Sequence, residues 1–199
     1  MKEIKKIALV GVHGVGKSTI CKKIHKACYI DYSIDVMFIP EQFREVVKDI
    51  DSSQNDINNS ENITLATYAK QLYLENLYTA QEKNILCDRS VLDTFVYYNY
   101  FNICSKGIDI ERYQFEDYFS CAMEQAWKYK RTYSKVYLIE PSDRLIEDDG
   151  FRMTNKQEQL KVHNLFLEYF RNFDNVEIIN QEDAHKEEFI NKVVSEFVL

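Results

Sequence analysis

"IALVGVHGVGKSTI", residues 7–20, runs from an apolar stretch into three of the five glycines of the chain. Gly11, Gly16, Lys17 and Ser18 fit the spacing G-x-x-x-x-G-K-[ST], and Thr19 follows. Glycines here let a loop wrap with its backbone N–H groups turned inward, where side chains would block the approach of phosphate oxygens. A helix starting at Lys17 adds partial positive charge. The pattern assigns His13, Gly14, Val15, Gly16, Lys17, Ser18 and Thr19 to nucleotide binding, with Lys17 bridging the β- and γ-phosphates and the Ser18 hydroxyl coordinating Mg²⁺. Within that loop the His13 side chain reads as solvent-facing.

Outward from this motif, short apolar runs alternate with longer helical patterns. Residues 4–10, 36–39, 85–87, 135–139 and 176–179 read as strands buried on both faces. Residues 17–29, 41–50, 63–83, 91–101, 111–130, 157–172 and 184–198 read as amphipathic helices. This alternation predicts a single α/β domain over 1–199, with helices on both faces of a parallel sheet. Right-handed crossovers bring the C-terminal ends of the strands to one edge, where ligands bind. Ser90 with Asp93, and Thr154 with Gln157, read as capping boxes. The Asn-rich stretch 51–62 reads as a surface loop, and the charged stretch 143–156 as a small lid carrying Arg144, Arg152 and Lys156.

Two further strand ends carry candidate chemistry. "ILCDRS", residues 85–90, sets Asp88 at the tip of a short apolar strand, the place for a carboxylate that orients Mg²⁺. Arg89 follows. An arginine stays protonated and cannot activate water, but it can hold a phosphate or a substrate, which favours transfer to a bound acceptor over hydrolysis. After the second strand comes "PEQFREV", residues 40–46. Glu41 stands at the ligand edge as a candidate proton acceptor, with Arg44 one helical turn on. Arg152, delivered by the lid, would neutralise charge on the transferred group. The aromatic run 95–101 reads mainly as core, with one or two rings available to stack on an acceptor.

Composition bounds the rest. A net charge of −7 disfavours nucleic-acid polymers and anionic membranes as partners, leaving a small-molecule substrate. The odd number of cysteines, five, without C-x-x-C spacing reads as buried free thiols in a reducing cytoplasm. The apolar stretch at the N-terminus runs straight into glycines and a lysine, unlike a signal peptide, and no window reaches the roughly 18 apolar residues of a membrane span. A homodimer is compatible with all of this.

"GVHGVGKST", "PEQFREV", "CDRSVLDTFVYY" and "EDDGFR" together resemble the P-loop nucleoside and nucleotide kinases, with the nearest likeness to kinase domains of the NadR nicotinamide riboside type. The resemblance spans residues 5 to about 175. It implies a three-layer α/β/α P-loop NTPase fold with a five-stranded parallel sheet in the order 2-3-1-4-5, and Mg²⁺–ATP as donor. It also implies that Glu41 is the base and that Arg89 matches the arginine of an E-R-S strand end, written here D-R-S. The expectation is a kinase acting on a nucleoside or nucleoside monophosphate through Lys17, Glu41, Arg89 and Arg152. The alternative is a nucleotide-binding regulatory switch reading ATP or GTP without transfer.

Overall fold

The computed structural model describes residues 3–50, 61–103, 128–142, 155–171 and 173–198. Five parallel strands form one sheet: β1 (Lys6–Val10), β2 (Val36–Ile39), β3 (Asn84–Asp88), β4 (Lys135–Glu140) and β5 (Val176–Asn180), in the order β2-β3-β1-β4-β5. The apolar runs of β1 and β3 are buried along their whole length, because both strands lie inside the sheet with helices over both faces. Leu9 pairs with Asp88 on one side and Tyr137 on the other, so the tips of β1 and β3 emerge together.

The helices are α1 (Lys17–Ile30), α2 (Phe43–Ile50), α3 (Glu61–Ala80), α4 (Val91–Tyr98), α5 (Lys156–Phe170), α6 (Gln181–Ala184) and α7 (Glu187–Glu196). Helix α1 packs against α7, while α4 packs against both α3 and α5. Three expectations shift. The 91–101 pattern is an α-helix only to Tyr98, and Asn99–Ile103 continue as a π-helix. The C-terminal pattern divides at His185 and Lys186 into α6 and α7. The cap of α5 is Asn155, not Thr154: its Oδ1 accepts from the backbone N–H of Gln157 and Glu158, satisfying two of the first-turn donors. The Ser90–Asp93 capping box of α4 is present as expected.

Cys21, Cys28 and Cys87 are buried free thiols, the first two on the inner face of α1. Among the described residues, no helix is long and apolar enough to cross a membrane. The predicted loop residues 51–60, helical residues 111–127, Cys104 and Cys121, and lid residues 143–154, with Arg144 and Arg152, lie outside the described residues.

Candidate active site

The loop between β1 and α1 has the backbone its sequence demands. Gly11 has φ +129°, and a Cβ there would lie 2.7 Å from the carbonyl oxygen of Ile139 on β4. Gly16 caps α1 in the left-handed region at φ +84° with no side-chain cap, which leaves the first-turn N–H groups of α1 free of a side-chain acceptor. The Lys17 side chain folds back into the loop and donates to the carbonyls of Gly11 (2.8 Å) and Val12 (2.7 Å). Burial, then the neighbouring Arg89, bring its ammonium down to about 8.

Ser18 donates to the Asp88 carboxylate at the tip of β3. Asp88 is only 2% exposed, and its Oδ1 has no hydrogen-bond partner. Burial pushes its carboxyl up, with the Ser18 hydroxyl and Lys17 opposing. An orphaned carboxylate oxygen beside a serine hydroxyl at a phosphate loop fits Mg²⁺ held by hydroxyl, phosphate and water. Among the described residues no three His, Cys, Asp or Glu side chains gather into a metal cage.

Arg89 is the centre of the remaining polar groups. It is a non-glycine residue at φ +80°, a backbone position that costs about 1–3 kcal/mol. From there its Nε donates to Glu41 Oε1 (2.5 Å), and its Nη1 reaches Asp93 Oδ1 (3.3 Å) and the Gly11 carbonyl (3.4 Å). Its Nη2 lies 3.0 Å from His13 Nδ1. A guanidinium only donates, so His13 Nδ1 accepts and its proton sits on Nε2. Burial and then Arg89 hold His13 well below its ordinary range, which keeps it neutral. The Tyr97 ring closes this side, 5.0 Å from the His13 ring and 5.3 Å from the Arg89 guanidinium carbon. His13 is therefore not a free solvent-facing side chain: it packs on Tyr97 and receives Arg89.

Glu41 precedes α2 and also accepts from Arg44 Nε at 3.2 Å. Burial alone would push its carboxyl up, but Arg89 above all, followed by His13, Lys17 and Arg44, outweighs that and holds it at about 2. Glu41, Arg44, Arg89, Lys17, Ser18 and Asp88 thus gather at one edge of the sheet, as their strand-end positions predicted. Several contributors were not foreseen. Gln159 of α5, 3% exposed, donates to the His13 carbonyl at 2.8 Å. Gln181 of α6 accepts from Ser142 N–H at 2.9 Å and reaches the Gly14 carbonyl at 3.4 Å. Asp93 both caps α4 and pairs with Arg89. A polar residue on the inner stripe of an amphipathic helix, as Gln159 is, was the available signal. Lys156, placed in the lid by sequence, opens α5 and bonds the Ser142 carbonyl. Beside Gln181 a cleft of about 830 Å³ opens at the ends of β4 and β5, lined by Glu140, Ser142, His163 and Asp183 among others.

A family model described as an AAA domain matches residues 6–187. No curated protein matches the chain. Among 209 matching solved chains is a crystal structure of NadR protein in complex with NR, with a TM-score of 0.63 at 18% identity. The match covers 98% of this chain and 52% of that one, so this chain spans about half the length of that structure. At that identity the likeness is one of fold, and it matches the five-stranded parallel sheet described above.

Proposed function

Since this chain belongs to the AAA domain family, we propose that it is an ATP-dependent kinase that moves the γ-phosphoryl group of ATP to a nucleoside or nucleoside monophosphate. One observation carries the reading: Arg89 follows Asp88 at the tip of β3 and is paired with Glu41 at the mouth of the phosphate loop. Hydrolysis is served by a base or a water-positioning residue beside that aspartate. Here that position holds a permanent cation, and the carboxylate comes from the end of β2, where an acceptor rather than water would meet it.

In this reading Lys17 exchanges the Gly11 and Val12 carbonyls for phosphate oxygens. Ser18 and Asp88 would hold Mg²⁺, which neutralises phosphate charge when bound. Arg89 and Arg44 orient the acceptor and the transferred group. The acceptor hydroxyl attacks the γ-phosphorus, the bond to the β–γ bridging oxygen breaks to release ADP, and Glu41 takes the hydroxyl proton. Arg152 is proposed as the lid's cation. The acidic net charge supports a small-molecule partner rather than a nucleic-acid polymer or a membrane, and the cysteines without C-x-x-C spacing support a reducing cytoplasm as its place.

A second reading, a regulatory nucleotide switch, has its own support. Lys17 and Arg89 are both engaged by protein acceptors, so a nucleotide must exchange those partners on entry. A panel of nucleosides and monophosphates with γ-labelled ATP separates the two. Acceptor-dependent transfer of label supports the kinase; tight retention of ATP or GTP with no transfer to any acceptor supports the switch and removes the kinase.

A further inference from the structure

We propose that Glu75, acting through Gln71 and Tyr133, is a positioning residue for Arg89. The role given to Arg89 in transfer is the one stated above, and the proposal rests on it. Glu75 lies on α3 and is fully buried. Its Oε1 accepts from Gln71 Nε2 (2.8 Å) and from the Tyr133 hydroxyl (2.7 Å), and its Oε2 accepts from Lys6 Nζ (3.0 Å). The amide of Gln71 also reaches the Arg89 carbonyl (3.4 Å). The Tyr133 oxygen accepts the Val91 backbone N–H (3.2 Å). Both flanks of the turn 89–91 therefore lead to one carboxylate.

That turn needs holding. Arg89 occupies a positive φ that a side-chain-bearing residue rarely adopts, and only surrounding contacts can maintain it. Its backbone accounts are closed from every side. Arg89 N–H donates to the Leu9 carbonyl (3.0 Å), Ser90 N–H to Asp93 Oδ2 (2.9 Å), Val91 N–H to Tyr133, and Leu92 N–H to Ser90 Oγ (3.2 Å). The conformation aims one guanidinium at Glu41, Asp93 and His13 together.

The pair behind the clamp is costly for stability alone. Lys6 is 4% exposed at the start of β1, and its ammonium lies over the Tyr129 and Tyr133 rings at 4.3 and 4.7 Å. Buried ion pairs seldom outperform apolar replacements of similar volume, whereas they do impose one geometry on the groups they bind. Burial and then the Glu75 carboxylate push the Tyr133 phenol well above its usual range, so it remains a donor to Glu75 while accepting from Val91.

Glu75→Gln leaves the Lys6 ammonium buried without its counter-ion and is expected to unfold, so the test uses Gln71→Met and Tyr133→Phe. Each is measured alone and combined with Arg89→Lys, by acceptor-dependent transfer and by calorimetric affinity for inorganic tripolyphosphate, with melting temperature alongside. The expected result is about a tenfold loss in kcat for each single variant with KM for ATP within about twofold, and little further loss when Arg89→Lys is already present. Equal losses in both backgrounds, or a lower melting temperature with kcat and tripolyphosphate affinity unchanged, would overturn the proposal. If the wild-type protein transfers to no acceptor, the kinase reading falls. The tripolyphosphate cycle then decides the positioning role by itself: non-additivity with Arg89→Lys supports it and additivity removes it.

Discussion

Arg89 Nε donates to Glu41 Oε1 at 2.5 Å, tying the turn after β3 to the residue before α2. The pair explains why Glu41 stays ionised throughout the neutral range despite its burial. It also sets a condition on catalysis. A carboxylate held at about 2 is a weak base, so in the proposed transfer it would accept a proton only once bound phosphate draws Arg89 away from it.

Glu41→Gln is the first prediction. The amide keeps the size but accepts no proton, and its NH2 replaces one of the two oxygens that accept from Arg89 and Arg44, so one of those bonds is lost. With a hydroxyl acceptor, kcat should fall by roughly 10²–10⁴ while ATP affinity stays nearly constant. With a monophosphate acceptor, whose oxygen is already largely ionised near neutral pH, the change should be small and mainly in KM. Steady-state kinetics on both acceptor classes checks this, and undiminished transfer to a hydroxyl would remove Glu41 as the base.

The same pair sets a pH dependence of stability. The Glu41 carboxyl falls from an ordinary 4.5 to about 2 in the folded chain. A depressed carboxyl stabilises the fold above the unfolded value and loses that contribution as pH falls through the folded one. The window is therefore about pH 4.5 down to 2, and the size is about 3 kcal/mol at 1.36 kcal/mol per unit. Urea unfolding of wild type and Glu41→Gln from pH 6 to 2 should show the wild-type advantage shrinking across that window. Parallel curves would mean that the ion pair contributes nothing.

Asp88→Asn should separate metal from nucleotide. The substitution removes a charge whose Oδ1 is buried without a partner, so the ligand-free protein should melt at the same temperature or higher. Nucleotide affinity measured in EDTA should change little, and the gain from added Mg²⁺ should shrink about tenfold or more. Equal losses with and without Mg²⁺ would make Asp88 structural.

The strand ends were legible because position in a parallel α/β sheet dictates what they face. Asp88, Glu41 and the glycine loop needed only the apolar run before them to be placed at one edge. The sheet itself was readable for the same reason, since β1, β3 and β4 are apolar on successive residues. What stayed hidden depends on partners far along the chain. His13 looks solvent-facing until Arg89, 76 residues on, donates to it. Gln71 and Glu75 are buried on α3, and the partners of Glu75, Lys6 and Tyr133, lie 69 and 58 residues away, beyond what helical spacing can show. Spacing pointed to Thr154 as the cap of α5, whereas the cap is Asn155, a difference set by side-chain geometry that spacing does not carry.

Gly16→Ala tests the close approach of α6 to the phosphate loop. Two costs are predicted, and they are separable. A side chain at φ +84° carries a left-handed penalty of about 1–2 kcal/mol. The added Cβ also enters the imidazole of His185, at the end of α6, with His185 Cε1 at 2.7 Å. Because the clash is with the end of a side chain and not with backbone, its cost falls at the low end of the roughly 1–3 kcal/mol of overpacking. His185→Ala removes the ring and leaves the backbone penalty, so the double variant should regain the second part only. Melting temperatures of the wild type, both single variants and the double variant close the cycle. Recovery in the double variant beyond the sum of the singles shows that the imidazole and residue 16 compete for one space. Strict additivity would mean that the ring moves aside freely and that only the backbone of Gly16 constrains the loop.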